Sequence, residues 1–299
     1  MSILVVGSVA LDSVRTPFGE VEEVLGGSAT YFSVAASFFS PVRVVAVVGE
    51  DFPAEHLDFL ASRGVDVGGL RMVPGRTFRW RGFYDYDLNQ AHTLDTQLNV
   101  FEDFDPEIPG EYRDSQFVFL ANIDPVLQLK VLEQVPSPRL TVCDTMNFWI
   151  ENRRRELEEL ITRVDCLLLN DSEARQLAGE PNLIAAGRKL QSMGPRRVII
   201  KKGEHGVIML GENSYFSLPA YPLETVFDPT GAGDSFGGGF LGALSRERDI
   251  SEEAVRRAVV YGSVVASFAV ESFSCERLRS LSEEEIRARY DEFMEITCF

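Results

Sequence analysis

The sequence predicts an α/β protein with a doubly wound, mostly parallel sheet and a small antiparallel sheet beside it. Short apolar, β-branched runs recur between segments of helical pattern, as expected for strands buried on both faces of a parallel sheet. These runs are 3–6, 42–48, 117–120, 140–143, 166–169 and 198–201. No internal repeat or low-complexity linker divides the 299 residues, so we expect one domain over residues 1–299.

Composition narrows the classes of partner. The formal net charge of −17 argues against nucleic acid and anionic membranes, since both require a basic face. No apolar stretch is long enough to cross a membrane, so we expect a soluble cytoplasmic protein. The four cysteines show neither metal-ligand nor paired spacing, which favours reduced thiols.

Residues 12–24 and 74–101 depart from the helix–strand alternation. They alternate between apolar and polar side chains, as half-exposed antiparallel strands do, and we expect them to form the small sheet. Phe78 and Trp80 share one face of a strand. The opposite face carries Thr77, Arg79 and Arg81. We expect the aromatic face to cover the substrate, with Phe78 in contact, and the sheet also to make a homodimer contact.

The most informative stretch is residues 226–243. Asp228 and Pro229 end any preceding strand, and the glycine-rich turn 230–233 leads into a helix that begins near Asp234. Such a turn directs unpaired N–H groups and the positive helix end at one point, which makes an anion site. A carboxylate there repels an anion unless it accepts the proton of an attacking hydroxyl. Together these features indicate phosphoryl transfer.

A dinucleotide site is the competing interpretation. Gly231, Gly233 and Gly237 approximate a G-x-G-x-x-G fingerprint, but residues 223–227 make a poor buried strand before it. No G-x-x-x-x-G-K-[ST] motif occurs, which excludes a Walker-type phosphate loop.

The segment Asp-Pro-Thr-Gly-Ala-Gly-Asp-Ser-Phe at 228–236 closely resembles the C-terminal signature of the ribokinase/PfkB-like carbohydrate and nucleoside kinases. The resemblance implies a ribokinase-like fold whose small sheet is a lid, with Asp234 as catalytic base. It places Asp228 and Thr230 near the phosphates or near a monovalent cation such as K⁺. The anion hole is then formed by backbone amides of Gly231, Ala232, Gly233 and Asp234.

On the acceptor side, the first strand leads to Asp12, beyond the carboxyl end where ligands of open α/β sheets collect. A solvated loop aspartate is the simpler interpretation, but the resemblance assigns Asp12 to sugar hydroxyls. Gly26 and Gly27, followed by a helix, match the family's N-terminal signature, in which the glycine pair admits the substrate. Tyr31 stands where the family usually has asparagine, so the identity of the acceptor is open.

Two further strand ends are candidates. Asp144 and Asn147 resemble positions that line the cleft in relatives, with an ordinary loop turn as the alternative. Asn170 and Glu173 resemble the family's Asn-x-x-Glu motif, in which the glutamate orders Mg²⁺ through water. The alternative is a helix cap at Asn170, Asp171 or Ser172 with Glu173 in the first turn. Mg²⁺ keeps most of its waters and takes few protein ligands, so a sparse motif is sufficient.

The nucleotide side is expected downstream. The turn after strand 198–201 holds Lys202, Gly203 and Gly206, which by resemblance lie beside the nucleotide. A solvated lysine at the strand end is the equal alternative for Lys202. Gly262 and Ala266 lie on a helical stretch with other small residues; by resemblance they form the adenine wall, and close helix packing is the alternative. Residues 276–296 read as one amphipathic surface helix.

The resemblance covers essentially the whole chain and implies an ATP- and Mg²⁺-dependent kinase of a small sugar or sugar-like alcohol. A nucleoside acceptor is the nearest alternative, because Tyr31 and the aromatic strand could stack on a base. Arg76, Arg79 and Arg81 instead suggest a phosphorylated sugar. A catalytically idle sugar- or nucleotide-binding sensor and a dinucleotide oxidoreductase are the remaining alternatives.

Overall fold

The computed structural model describes residues 2–212 and 214–298. Within these residues the strands form two sheets. The larger has nine strands in the order β13-β12-β11-β10-β9-β8-β1-β4-β5, and the smaller has four in the order β3-β2-β6-β7. The main strands are β1 (Ile3–Val6), β4 (Val42–Gly49), β5 (Val65–Val73), β8 (Phe117–Leu120), β9 (Leu140–Asp144), β10 (Cys166–Asn170), β11 (Arg197–Lys201), β12 (Val207–Leu210) and β13 (Tyr215–Leu218).

The main sheet is parallel from β5 to β11, and β12 and β13 add an antiparallel edge. This confirms the predicted doubly wound, mostly parallel sheet, with its small partner sheet. All six predicted runs are strands of it. β5, β12 and β13 extend it beyond those runs. The carboxyl ends of β8, β9, β10 and β11 lie along one edge, where ligands of such sheets collect.

Helices cover both faces of the main sheet. In β1, Ile3 and Val5 belong to one apolar cluster and Leu4 and Val6 to the other, because successive side chains of a strand alternate. The first cluster includes residues of α1 (Ser28–Ser37), α2 (Ala54–Ser62), α8 (Ala232–Ser245), α9 (Glu252–Ala269), α10 (Glu276–Ser280) and α11 (Glu283–Ile296). The second includes residues of α3 (Pro125–Gln134), α4 (Asn147–Asn152), α5 (Arg154–Ile161), α6 (Asp171–Ala178) and α7 (Leu183–Gln191).

The small sheet, called the lid below, consists of β2 (Ala10–Thr16), β3 (Gly19–Gly26), β6 (Arg79–Tyr84) and β7 (Ala91–Gln97). Pairing is antiparallel between β2 and β3 and between β6 and β7, whereas β2 and β6 run parallel. The lid occupies the two predicted stretches. The parallel pair arises because β2 and β6 are joined through α1, β4, α2 and β5 and not through a hairpin.

The C-terminal segment differs from the prediction of one helix over 276–296. The chain leaves α10 at Ser280, and Ser282 then caps α11 by accepting from the Glu285 amide, so two helices form. None of the described helices is long and apolar enough to cross a membrane.

Candidate active site

The glycine-rich turn leads directly into α8. Asp228 Oδ1 accepts a hydrogen bond from the Thr230 amide (2.9 Å), and the Ala232 amide donates to the Pro229 carbonyl (3.1 Å). Gly231 has a φ of 74°, a left-handed value that favours glycine. A Cβ at residue 231 would also overlap the ring of Tyr31, so both backbone and space require glycine here.

Fewer backbone amides are free to bind an anion at this turn than the sequence predicts. The Ala232 amide is engaged with Pro229 and is therefore not available to an anion. Gly233 and Asp234 occupy the second and third positions of α8, where N–H groups have no carbonyl partner in their own helix. The Gly233 and Asp234 amides stay the candidates for the anion hole, and Gly231 is the turn residue.

Asp234 lies in the first turn of α8 among other charged groups. Burial raises its pKa from 3.8 to about 8; the Asp144 and Asp12 carboxylates add to the rise, and Lys201 opposes it. A pKa near the working pH suits a general base, because such a group can both take and release a proton.

Lys201, which the sequence analysis did not single out, lies at the centre of this cluster. Its Nζ is 2.7 Å from Asp144 Oδ2, and their side chains are only 17% and 5% exposed. The ammonium group is also next to the anion turn, since a Cβ at Gly233 would lie 3.0 Å from Nζ. A lysine that ends a buried apolar strand was the signal available in the sequence. A role beside the nucleotide was predicted for the next residue, Lys202, and it stays a prediction.

Asp12 of β2 lies against the glycine pair at the junction of β3 and α1. Asp12 Oδ2 accepts from the Gly27 amide (3.3 Å), and a Cβ at Gly26 would overlap the Asp12 carboxyl. Gly27 has a φ of 94° and leaves no space for a side chain beside the Ser8 carbonyl. Burial raises the pKa of Asp12 to about 7, and Asp228 adds to the rise.

Two tyrosines lie near these carboxylates. Tyr31 is buried under Gly231, and its hydroxyl has no hydrogen-bond partner among the residues described. Burial raises the pKa of Tyr31, with Asp12 and Asp228 acting in the same direction. Tyr84 of the lid was not predicted; its hydroxyl accepts from Thr230 Oγ1 (3.4 Å) and so joins the lid to the turn. Tyr31 supports the turn from below, and its contact with an acceptor stays a prediction.

The aromatic residues of the lid are engaged within the protein. Phe78 stacks on Phe101 with ring centroids 5.4 Å apart, and Trp80 Nε1 donates to Thr93 Oγ1 (3.2 Å). Phe78 is half-buried, and its contact with a substrate stays a prediction.

The three arginines that suggested a phosphorylated acceptor are paired with carboxylates. Arg79 contacts Glu23 (2.7 Å) and Asp51 (2.8 Å), Arg76 approaches Asp51 (3.9 Å), and Arg81 contacts Glu22 (3.1 Å). The sequence-based argument for a sugar phosphate therefore loses its basis, because these guanidinium groups have local partners.

Asn170 and Glu173 form a capping box at the start of α6. Asn170 Oδ1 accepts from the Glu173 amide (2.8 Å), and Glu173 Oε2 accepts from the Asn170 amide (2.7 Å). Burial raises the pKa of Glu173 to about 8, and Asp144 adds to the rise while Lys201 opposes it. The capping alternative is thus correct, and it places the carboxyl group beside the Asp144–Lys201 pair.

The donor set around Glu173 fits a hydrated Mg²⁺. The described residues contain no cluster of three or more His, Cys, Asp or Glu side chains arranged to hold a metal directly. Mg²⁺ is commonly held by one or two carboxylates, with water and substrate phosphates completing its shell. Glu173 meets that requirement, and no further protein ligand is needed.

The remaining residues predicted to contact the nucleotide lie in different surroundings. Gly203 is approached closely by Asn89 of the β6–β7 connection, and Gly206 packs against the backbone at the end of β13. Gly262 is buried against Phe236 of α8, which favours the close-packing alternative, and its adenine contact stays a prediction. Ala266 is half-buried on the same helix, and its adenine contact stays a prediction.

Asn147 begins α4, and its Nδ2 donates to Gln176 Oε1 of α6 (2.7 Å). This contact ties Asn147 to a helix of the second apolar cluster, and its contact with a substrate stays a prediction.

Comparison with known proteins assigns the family. Residues 2–279 match the model of the pfkB family carbohydrate kinases. The chain is a member of the PfkB carbohydrate kinase family. PfkB kinases are phosphotransferases that act on hydroxyl groups, so the chain is an enzyme of this kind. It is 33% identical over 262 residues to a cytidine kinase of Thermococcus kodakarensis, covering 86% of this chain and 92% of the relative.

Solved PfkB-type structures share the fold. A Burkholderia thailandensis nucleoside kinase in complex with inosine has a TM-score of 0.79 and 20% identity, covering 97% of each chain. An aminoimidazole riboside kinase of Salmonella enterica, complexed with that riboside and an ATP analogue, has a TM-score of 0.76 and 19% identity. It covers 97% of this chain and 100% of that one.

Proposed function

We propose that this PfkB kinase transfers the γ-phosphoryl group of ATP to a hydroxyl of a nucleoside. The observation that best supports this proposal is the charge around the proposed acceptor position. Asp12 lies near enough to Asp234 to raise the pKa of its carboxyl group, and we place the acceptor beside these two groups; Arg79 and Arg81 are bound to lid carboxylates. Such a site repels a phosphorylated sugar and accepts hydrogen bonds from an uncharged polyol.

The relative with the highest identity among those compared supports a nucleoside over a free sugar. The cytidine kinase resembles this chain over nearly its full length, and a nucleoside kinase of Methanothermobacter thermautotrophicus is 27% identical over 286 residues. That second match covers 90% of this chain and 89% of the relative. We therefore place the nucleoside, the weaker alternative by sequence, ahead of a simple sugar.

The residues take the following parts. Asp12 accepts hydrogen bonds from acceptor hydroxyls, and Asp234 takes the proton of the attacking hydroxyl as its oxygen bonds to phosphorus. The Gly233 and Asp234 amides bind the phosphoryl oxygens, on which charge builds. ATP supplies the phosphoryl group, and Glu173 would hold a hydrated Mg²⁺, which would offset phosphate charge. The lid excludes water.

We extend the proposal to a monovalent cation beside Asp228. This carboxylate is 1% exposed, and its Oδ2 has no hydrogen bond of normal geometry among the described residues. Burial raises the pKa of Asp228, although the Thr230 and Ser274 backbone groups oppose the rise. A bound K⁺ would satisfy this oxygen. Rates in KCl above those in choline chloride of equal ionic strength support the proposal, and equal rates contradict it.

The lid also offers a surface for a second copy of the chain. Leu94 and Leu98 in and just after β7 are 57% and 42% exposed. We propose a homodimer contact there. Light scattering that shows only a monomer over the micromolar range contradicts it.

The test of the proposed reaction is an ADP-release screen with MgATP. Acceptors are cytidine, uridine, adenosine, inosine, ribose, myo-inositol and fructose 6-phosphate. We expect the largest kcat/KM with a nucleoside and no turnover of fructose 6-phosphate. Preference for ribose or fructose 6-phosphate contradicts the proposal, and no ADP with any acceptor favours a catalytically idle sensor.

A further inference from the structure

In the Asp144–Lys201 ion pair, the aspartate is held by more hydrogen bonds than the lysine. Asp144 Oδ1 accepts from the Thr145 amide (2.9 Å), and Oδ2 accepts from Lys201. Gln128 Nε2 donates to the carbonyls of Leu120, Ala121 and Asp144, which joins the ends of β8 and β9. Asp144 is therefore held in place without the lysine.

Lys201, by contrast, retains unused donors. An ammonium group has three N–H donors, and among the described residues Nζ makes a hydrogen bond to Asp144. The register of β10 and β11 places Lys201 opposite Asn170, at the strand edge that faces α8. Its Nζ lies against Gly233, whose amide is a candidate for the anion hole.

The surroundings of Lys201 are acidic. Its charge acts on Asp234 and on Glu173 as well as on Asp144. A chain with a net charge of −17 repels a nucleotide triphosphate, and the carboxyl groups of the site add to that repulsion. A compact ammonium group on a flexible stem is the side chain that can shift from one anion to another at such a point.

We propose that Lys201 is a catalytic residue that leaves Asp144 and binds the phosphoryl group as it is transferred. The bond from the acceptor oxygen to phosphorus forms while the bond from phosphorus to the bridging oxygen of ADP breaks. ADP keeps that electron pair, and Asp234 takes the hydroxyl proton. Asp144 is a positioning residue that holds Lys201 in place before the phosphoryl group arrives. The assignment rests on ATP as donor but not on the nature of the acceptor.

The first test is binding, measured by calorimetry without acceptor. Lys201→Met is expected to weaken a β,γ-imido ATP analogue with Mg²⁺ by roughly 10- to 100-fold, because a hydrogen bond to a charged group is lost. ADP affinity is expected to stay unchanged, since ADP lacks the transferred group. Lys189→Met removes an exposed lysine from α7 and serves as the matched control with normal binding. Equal loss for ADP and the ATP analogue overturns the proposal.

The second test separates catalysis from simple neutralisation of Asp144. If Lys201 serves only as the counter-ion of Asp144, the double variant Asp144→Asn/Lys201→Met regains the activity lost in Lys201→Met. We expect no such rescue, and a turnover about 10²- to 10³-fold below the parent in both. Recovery in the double variant overturns the proposal.

A folding failure of Lys201→Met leaves Asp144→Asn as the test. That variant keeps the ammonium group and is expected to bind the ATP analogue at least as tightly as the parent. Weaker binding overturns the proposal. If ATP is not the donor at all, the parent fails to bind the analogue, which distinguishes that result from a failure of Lys201.

Discussion

The nine-stranded sheet and the lid contribute to one site but are held together by different interactions. In the main sheet, β1, β8 and most of β4 are buried on both faces, and apolar packing from two helix layers fixes the strand ends. In the lid, β7 is almost entirely exposed and β3 is buried only at its carboxyl end. Polar contacts therefore have a larger part in placing the lid.

The lid contacts can be traced individually. Thr77 is fully buried, and both its amide and its hydroxyl donate to Asp51 Oδ1 (2.7 Å each). Arg79 bridges the same Asp51 to Glu23 of β3. Tyr84 meets Thr230, and Asn89 reaches Glu204 at 3.4 Å. These contacts are few, so the lid is expected to open at a smaller free energy than the main sheet.

The difference separates two kinds of residue. Asp144, Glu173, Lys201 and Asp234 lie on the rigid sheet or the helices packed on it. Asp12 lies on lid strand β2. Substitutions in the first group are expected to lower kcat. Substitutions that loosen the lid are expected to raise the KM of the acceptor.

The largest effect is expected for Asp234→Asn. Loss of a general base typically lowers turnover by about 10²- to 10⁴-fold, and the isosteric amide preserves the fold of α8. Binding of MgADP is expected to remain, since the variant leaves the Gly233 amide in place. Steady-state kinetics and calorimetry measure the two quantities. Near-normal turnover would show that Asp234 is not the base. It would also contradict the expectation that residues on the main sheet and its helices act on kcat.

Next in size is Arg79→Met, which tests the lid. The Arg79 side chain is 13% exposed and binds two carboxylates, so its loss is expected to cost about 1–3 kcal/mol of lid closure. Faster hydrogen exchange in β2, β3 and β6 and a raised acceptor KM are the readouts. Arg81→Met is the matched control: Arg81 and Glu22 are 52% and 69% exposed, and such pairs contribute about 0–1 kcal/mol. Equal effects of the two substitutions contradict a lid held by Arg79.

The buried carboxyl groups of the site also predict how stability depends on pH. Burial raises the pKa of Asp12 to about 7 and those of Glu173 and Asp234 to about 8. Between about pH 4 and pH 8 the unfolded chain releases these protons before the folded protein does, so the free energy of unfolding falls as pH rises. Asp234→Asn removes one such group and is expected to raise the melting temperature at pH 8 by about 2 °C or more.

The same contribution is fully present below the unfolded-state pKa of the carboxyls and is lost as pH rises through the folded-state values. Thermal unfolding of both proteins from pH 5.5 to pH 8.5 measures it. A parent protein that becomes more stable over this range, or a less stable Asp234→Asn variant at pH 8, contradicts raised pKa values of these carboxyl groups.

The two regions also differ in how far the sequence predicts them. Buried parallel strands are continuous apolar runs, and the predicted strand 117–120 matches β8 residue for residue. β5 was missed because Gly68 and Gly69 interrupt it and because Asp66 and Arg71 break its apolar run. The lid was located by its alternation, but no local pattern indicates that β2 and β6 pair in parallel, because that pairing is a long-range feature.

In the candidate site, Asp234, Glu173 and Asp12 were indicated by characteristic local sequences, and their roles stay predictions. Lys201 was not singled out, because a lysine at the end of an apolar strand has no local pattern that indicates its partner Asp144, 57 residues away. The pairing of Arg79 with Asp51 joins residues 28 positions apart in sequence and follows from no periodicity. Local chemistry was thus predictable, and the long-range pairing of charges was not.

The smallest effect is expected for Tyr84→Phe, where the lid meets the rigid half of the site. The hydrogen bond from Thr230 Oγ1 is long at 3.4 Å, so its loss is expected to cost only about 0.5–1.5 kcal/mol. The ring remains and still covers the turn. Acceptor KM is expected to rise by roughly 2- to 10-fold with little change in kcat, because the contact closes the lid and touches neither Asp234 nor Lys201. Steady-state kinetics with the best acceptor measures both constants. A fall in kcat at unchanged KM would mean that Tyr84 acts on the reacting atoms, and the division between a rigid catalytic half and a lid that sets affinity would then be wrong.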